Sequence, residues 1–193
     1  MWIILIVLAV LILYLIGFFN SLKTLQVRIT ASIQEIGNQL KRQSNLIPNL
    51  VESVKGFMKH EKGIFAELAE ARKLIEKAID SNNPKSIDAA QAYLGRTLRS
   101  FRMIAESNPQ IQSSTIVSSL MEELRDTADK VMYARRLLID LSADFNIKIS
   151  TIPGLWIAPL MGFVAQKGLD TPISGEFLEV SSAETKNPEV KLN

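Results

Sequence analysis

The amino-acid sequence predicts an all-α protein in which an N-terminal transmembrane helix continues into an antiparallel four-helix up-down bundle. Three observations predict it. Met1 to Phe19 carries no charged side chain. The chain beyond it repeats apolar residues at three-, four- and seven-residue intervals. No segment alternates apolar and polar residues for long enough to make a sheet.

Composition narrows the function classes. A chain of 193 residues has room for one domain plus an anchor. Its 47% hydrophobic content allows a packed core, although part of it sits in the first twenty residues. A net charge of +2 is too weak to argue for nucleic acid, and no stripe of interleaved basic and aromatic residues appears. Cysteine is absent, which excludes disulfides, thiol nucleophiles, cysteine-bound zinc and a lipidated cysteine. One histidine leaves little for histidine-based metal binding or catalysis. No cofactor is expected.

The first segment is the anchor, residues 1–20. As a helix, Met1 to Phe19 spans roughly 28 Å, close to the hydrocarbon thickness of a bilayer. Trp2, Tyr14, Phe18 and Phe19 lie at or towards its ends, as interfacial aromatics do. A cleaved signal peptide is the competing reading, but no Lys or Arg precedes the apolar run and no small-residue cleavage site follows it. Lys23 and Arg28 follow the span, with Lys41 and Arg42 further on, so the positive-inside rule places the bulk of this single-pass chain in the cytoplasm.

The bundle is expected over residues 21–148. Leu22, Leu25, Ile29, Ile33, Ile36 and Leu40 form the stripe of its first helix, continuous with the anchor. A break is expected near Ser44 to Pro48, with Asn45 as N-cap, because proline disfavours helix in the residue before it. The second helix then runs from about Pro48 to Asp80, with Leu50, Val54, Phe57, Ile64, Leu68, Ala71, Ile75 and Ala78 at near-heptad spacing. Glu61 interrupts that stripe. Ser81 to Pro84 reads as a loop. The third helix carries Ile87, Leu94, Leu98, Phe101 and Ala105 and stops before Pro109. Ser113 and Ser114 can cap the fourth, where Val117, Leu124, Val131, Leu138 and Phe145 fall seven apart, with Leu120, Ala134 and Leu141 beside them. Asn146 and the β-branched run after it weaken the helix, and Pro153-Gly154 ends it at the latest. Core packing explains every one of these stripes.

Residues 149–165 form an uncharged Pro/Gly segment, too short and too broken to span a bilayer. Residues 166–193 are polar and low in aromatics, the composition of a largely disordered tail.

Several motifs then point to a family. Leu40-Lys41-Arg42, Leu46-Ile47-Pro48-Asn49-Leu50-Val51, Val54-Lys55-Gly56-Phe57 and His60-Glu61 resemble the signature of the LemA family. Leu98, Ala105-Glu106, Pro109, Leu120, Glu123-Leu124, Ala134-Arg135-Arg136, Phe145-Asn146, Pro153, Ala158 and Gly162-Phe163 follow that family's order. Phe177-Leu178-Glu179 and Pro188-Glu189-Val190 resemble its tail. The resemblance covers about residues 20–190. It departs at Phe19-Asn20, where the family shows Tyr-Asn; at Gln43, where it shows Arg; and at Leu138-Ile139, where it shows Tyr-Asn. The resemblance implies a membrane-bound helical bundle and no settled activity.

Reactive chemistry has one foothold. His60-Glu61 begins a zinc-type HExxH pattern, but Ile64 stands where the second histidine belongs. A surface His beside a Glu, or a protein contact, explains the pair better. Arg135-Arg136 and Lys41-Arg42 read as solvated helix faces, with Asp140 placed four residues on to pair with Arg136. The Leu46–Val51 stretch holds nothing reactive and is expected to set a helix–helix corner.

In an up-down bundle the fourth helix returns to the bilayer, so Ile152–Phe163 emerges there. Either this segment, with Trp156, touches the membrane interface, or it covers the bundle's open end. The expected function is a structural or scaffolding factor at the membrane, working through protein partners or self-association as well as the bilayer. The alternative is a tethered adaptor or sensor that binds a small ligand or protein through the bundle. An enzyme is not expected.

Overall fold

A computed structural model describes residues 1–58, 61–81 and 84–166. Among these residues all regular structure is helical, with no strand. The helices are α1 (Trp2–Val54), α2 (Lys62–Ser81), α3 (Pro84–Glu106), α4 (Pro109–Gln112), α5 (Thr115–Ser150) and α6 (Gly154–Leu160).

The N-terminal apolar helix does continue into the body. α1 is 53 residues long, about 80 Å. Apart from the half-buried Leu15 and Phe18, its first eighteen residues expose their apolar side chains, and full burial begins at Leu22. From there Ile29, Ile36, Leu40, Ile47, Leu50 and Val54 form a buried stripe.

The break expected at Ser44–Pro48 is absent. α1 runs through Pro48, and Asn45, expected as an N-cap, is an exposed mid-helix residue. Proline here removes one N–H, the donor for the Ser44 carbonyl. Burial of Leu46, Ile47 and Leu50 around it outweighs that local loss. The Leu46–Val51 stretch is therefore helix interior and not a corner. The chain turns instead after Val54, where Phe57 and Met58 both donate backbone N–H groups to the Val54 carbonyl. The second helix is consequently α2 alone, shorter than Pro48–Asp80. Leu50 and Val54 are core residues of α1, and Phe57 is half exposed in the turn. Ile64, Leu68, Ala71, Ile75 and Ala78 keep their expected buried stripe on α2.

α3 buries Ile87, Leu94 and Phe101. It stops before Pro109, which opens the short α4 behind an Asn108 cap whose side chain accepts from the Gln110 N–H. Ser114 caps α5 by accepting from the Val117 N–H at 3.4 Å. Val117, Leu124, Val131, Leu138 and Phe145 are all buried, as their spacing predicts. α5 continues past Asn146 to Ser150 and ends before Pro153-Gly154.

α1 packs against α5 and α2, α2 against α3, and α6 against α5. α1 and α5 run in opposite directions. Lys148 of α5 reaches Ser21, and Glu123 meets Arg42. α2 turns back along α1, where Ser44 donates to Glu76 at 3.0 Å.

The Pro/Gly segment forms α6, which the sequence does not predict. It ends in a Schellman motif: the Phe163 N–H donates to the Ala158 carbonyl at 3.0 Å and the Gly162 N–H to Pro159 at 3.1 Å. Gly162, at φ 76, supplies the left-handed residue this cap requires. The tail assigned to residues 166–193 lies, apart from Gln166, outside the described residues.

Candidate functional site

Three places along the body carry polar or exposed apolar groups that core packing does not use up. The first is the end next to the apolar span. Phe163 turns inward to Phe145 at 6.0 Å and to Phe19 at 5.5 Å between ring centroids. Gly154 lies so close to α5 that an added Cβ would sit 1.8 Å from the Lys148 carbonyl oxygen and 3.1 Å from the Phe18 ring. Asn146 closes this end: its amide donates to the Gln166 carbonyl at 2.8 Å and accepts the Gln166 N–H at 2.9 Å. Asn146 therefore holds the segment after α6 against α5. Trp156 points away from this packing and is exposed.

The second is a polar layer halfway along the body. Gln43, fully buried, exchanges amide hydrogen bonds with Gln91 of α3 at 2.7 and 3.3 Å. Arg72 donates to Glu76 at 2.9 Å, and Glu76 accepts from Ser44. Arg42 pairs with Glu123, and Arg135, its side chain 19% exposed, pairs with Asp88 of α3. The Arg136–Asp140 pair expected from spacing does not form; the cross-helix Arg135–Asp88 pair stands in its place. Leu46, Ile47 and Leu50 are core, Pro48 is half-buried and Asn49 is exposed. These motif residues pack the helix; they touch no reactive group.

The third lies at the end far from the span, between α3 and α5. A groove of about 220 Å³ is lined by Gly95, Leu98, Arg99, Arg102, Met121, Arg125 and Ala128. It opens into a cleft of about 430 Å³ that shares Arg102, Met121 and Arg125 and adds Glu106 and Glu122. Arg99, Arg102 and Arg125 are exposed and make no ion pair within the described residues. Three unpaired guanidinium groups around an apolar floor suit a carboxylate-bearing, partly apolar ligand. The sequence gives no periodic signal for this groove, because the arginines come from two helices whose faces meet only in three dimensions.

His60 lies outside the described residues. Glu61 is exposed, one residue ahead of α2, with its N–H donating to the Met58 carbonyl. Among the described residues no three His, Asp or Glu side chains converge as a metal site.

A family model, that of the LemA family, matches residues 32–192. The match starts beyond the apolar span and takes in every helix from the middle of α1 onward. Comparison with curated proteins gives no match.

Proposed function

Because the chain belongs to the LemA family and joins an exposed apolar span to a helical body through one unbroken helix, we propose that it is a membrane-anchored, non-enzymatic scaffold on the cytoplasmic face of the cell membrane. In this reading α1, α2, α3 and α5 make an antiparallel up-down bundle. The Ser44–Glu76, Gln43–Gln91 and Arg42–Glu123 contacts and the Lys148–Ser21 hydrogen bond support it. Lys23 and Arg28 just past the span support the cytoplasmic side.

The arginine groove carries the reading. Arg125 lies 23 residues before Lys148 on α5, which puts the groove about 35 Å from the membrane end. Its occupant is an acidic segment of a partner protein, bound by charge complementarity and by burial on Leu98 and Met121. The adjoining cleft of about 430 Å³, with carboxylates and guanidinium groups on its walls, favours as second reading an adaptor that takes a small zwitterionic ligand.

A photo-crosslinking residue at Ser118, in the full chain in native membranes, tests this. A discrete crosslinked protein is expected. It disappears with Arg99→Glu, Arg102→Glu and Arg125→Glu combined, while the chain stays in the carbonate-washed membrane. Crosslinks indifferent to charge reversal, crosslinks to a second copy of the chain, or release by carbonate each defeat the reading.

A further inference from the structure

The segment around α6 has two faces with different fates. Gly154, Ala158 and Phe163 are buried against the body. Ile152, Leu155, Trp156, Leu160 and Val164 point outward, and Trp156 is 64% and Leu160 88% exposed. An apolar surface of this kind calls for a cover.

The place of α6 says what the cover is. Its packed face touches Phe18 and Phe19, the last two residues of the apolar span. From Trp2 to Phe19 the helix rises about 27 Å, so Phe18 and Phe19 reach the boundary of a hydrocarbon layer of about 30 Å. The outward face of α6 stands at that same boundary. No carboxylate occurs between Phe145 and Gln166, and the one cation in that stretch, Lys148, points its ammonium at Ser21 on the polar side of the boundary. Lys23 lies one half-turn further on. The side chains change from apolar to polar at one height on both α1 and the α5–α6 connection, as they must for both to meet one membrane surface.

We propose that α6 and its flanks sink into the headgroup–acyl boundary of the bilayer, a second and shallow membrane contact beside the spanning helix. The proposal rests on the anchor reading above. It also combines the two roles expected for this segment: one face seals the end of the body, and the other enters lipid. Two contacts on different elements fix the tilt of the body and its rotation about α1, which a single spanning helix leaves free. Asn146, Gly154 and Gly162 set the angle at which the segment meets the bilayer.

The chain has two tryptophans, so each place has its own reporter. Trp2→Phe leaves Trp156 alone, and Trp156→Phe leaves Trp2 alone. Each full-length variant is reconstituted into phosphatidylcholine vesicles brominated at acyl carbons 6 and 7, or at 11 and 12. Trp156 is expected to lose emission to the shallow bromines and much less to the deep ones. If Trp2 is quenched and Trp156 is not, the second contact is wrong and the anchor stands. If neither is quenched, the anchor fails and the second contact with it. Stronger quenching of Trp156 by the deep bromines overturns the interfacial placement.

Discussion

The two ends of the helical body are built from the same heptad stripes and finished in opposite ways. Next to the span, Phe19, Phe145 and Phe163 fill the end, Gly154 lets α6 press onto the α5 backbone, and Asn146 ties the exit down. At the far end, α3 and α5 stand apart over Met121 and Leu98, and three arginines that make no ion pair among the described residues line the gap. The repeating stripes build a shaft, and the residues at its two ends give it direction. One end is sealed and apolar outside, the other open and lined by arginines with carboxylates beside them.

Matched substitutions at the two ends are expected to have unequal effects. The largest effect is expected from Phe145→Ala, which removes a fully buried ring between Phe163 and the core. It should cost about 3–5 kcal/mol, read as a lower melting temperature by circular dichroism of the full chain in nanodiscs. Met121→Ala, in the half-buried groove, should cost much less. Equal losses would mean the far end is packed as tightly.

Two glycines make the next pair. Gly154→Ala must displace the Lys148 carbonyl and should cost about 1–3 kcal/mol or more. Gly95→Ala meets no atom within 4 Å and should stabilise α3 by about 0.5–1 kcal/mol. A destabilising Gly95→Ala would show that the groove is filled.

Between the ends, Gln91→Leu strands the buried Gln43 amide and should cost about 1–3 kcal/mol. Gln43→Leu added to it should restore much of the loss, since neither amide is then left unpaired. The smallest effect belongs to the exposed Arg42–Glu123 pair. A double-mutant cycle should give under about 1 kcal/mol, shrinking with added salt.

What could be read from the sequence follows from how local each signal is. The stripes on α1, α2, α3 and α5 are periodic, so Ile29, Leu68, Phe101 and Leu124 could be placed in the core from spacing alone. Ser114 could be read as a cap because its hydroxyl and the Val117 N–H it accepts from are three residues apart. The position of the turn is not legible because Pro48 is a local cost, while the packing of Ile47 and Leu50 that overrides it is not local. α6 was hidden by Pro153, Gly154 and Pro159, which break helices in isolation and here cap, fit and end one. Arg135 finds Asp88 rather than Arg136 finding Asp140 because helix rotation, invisible in spacing, turns Arg135 toward α3. At Gln43 the departure from the family pattern was visible, and its partner Gln91, 48 residues away, was not.

One helix, unbroken through Pro48, is expected to hold the arginine end away from the bilayer. Ser119 lies 29 residues before Lys148 on α5, so it should stand about 44 Å above the membrane surface. The chain has no cysteine, so a donor dye on Ser119→Cys is the sole label. Energy transfer from it to headgroup-labelled lipid in nanodiscs should report that height. Transfer near completion would mean that the body lies along the bilayer and that α1 does not hold it upright.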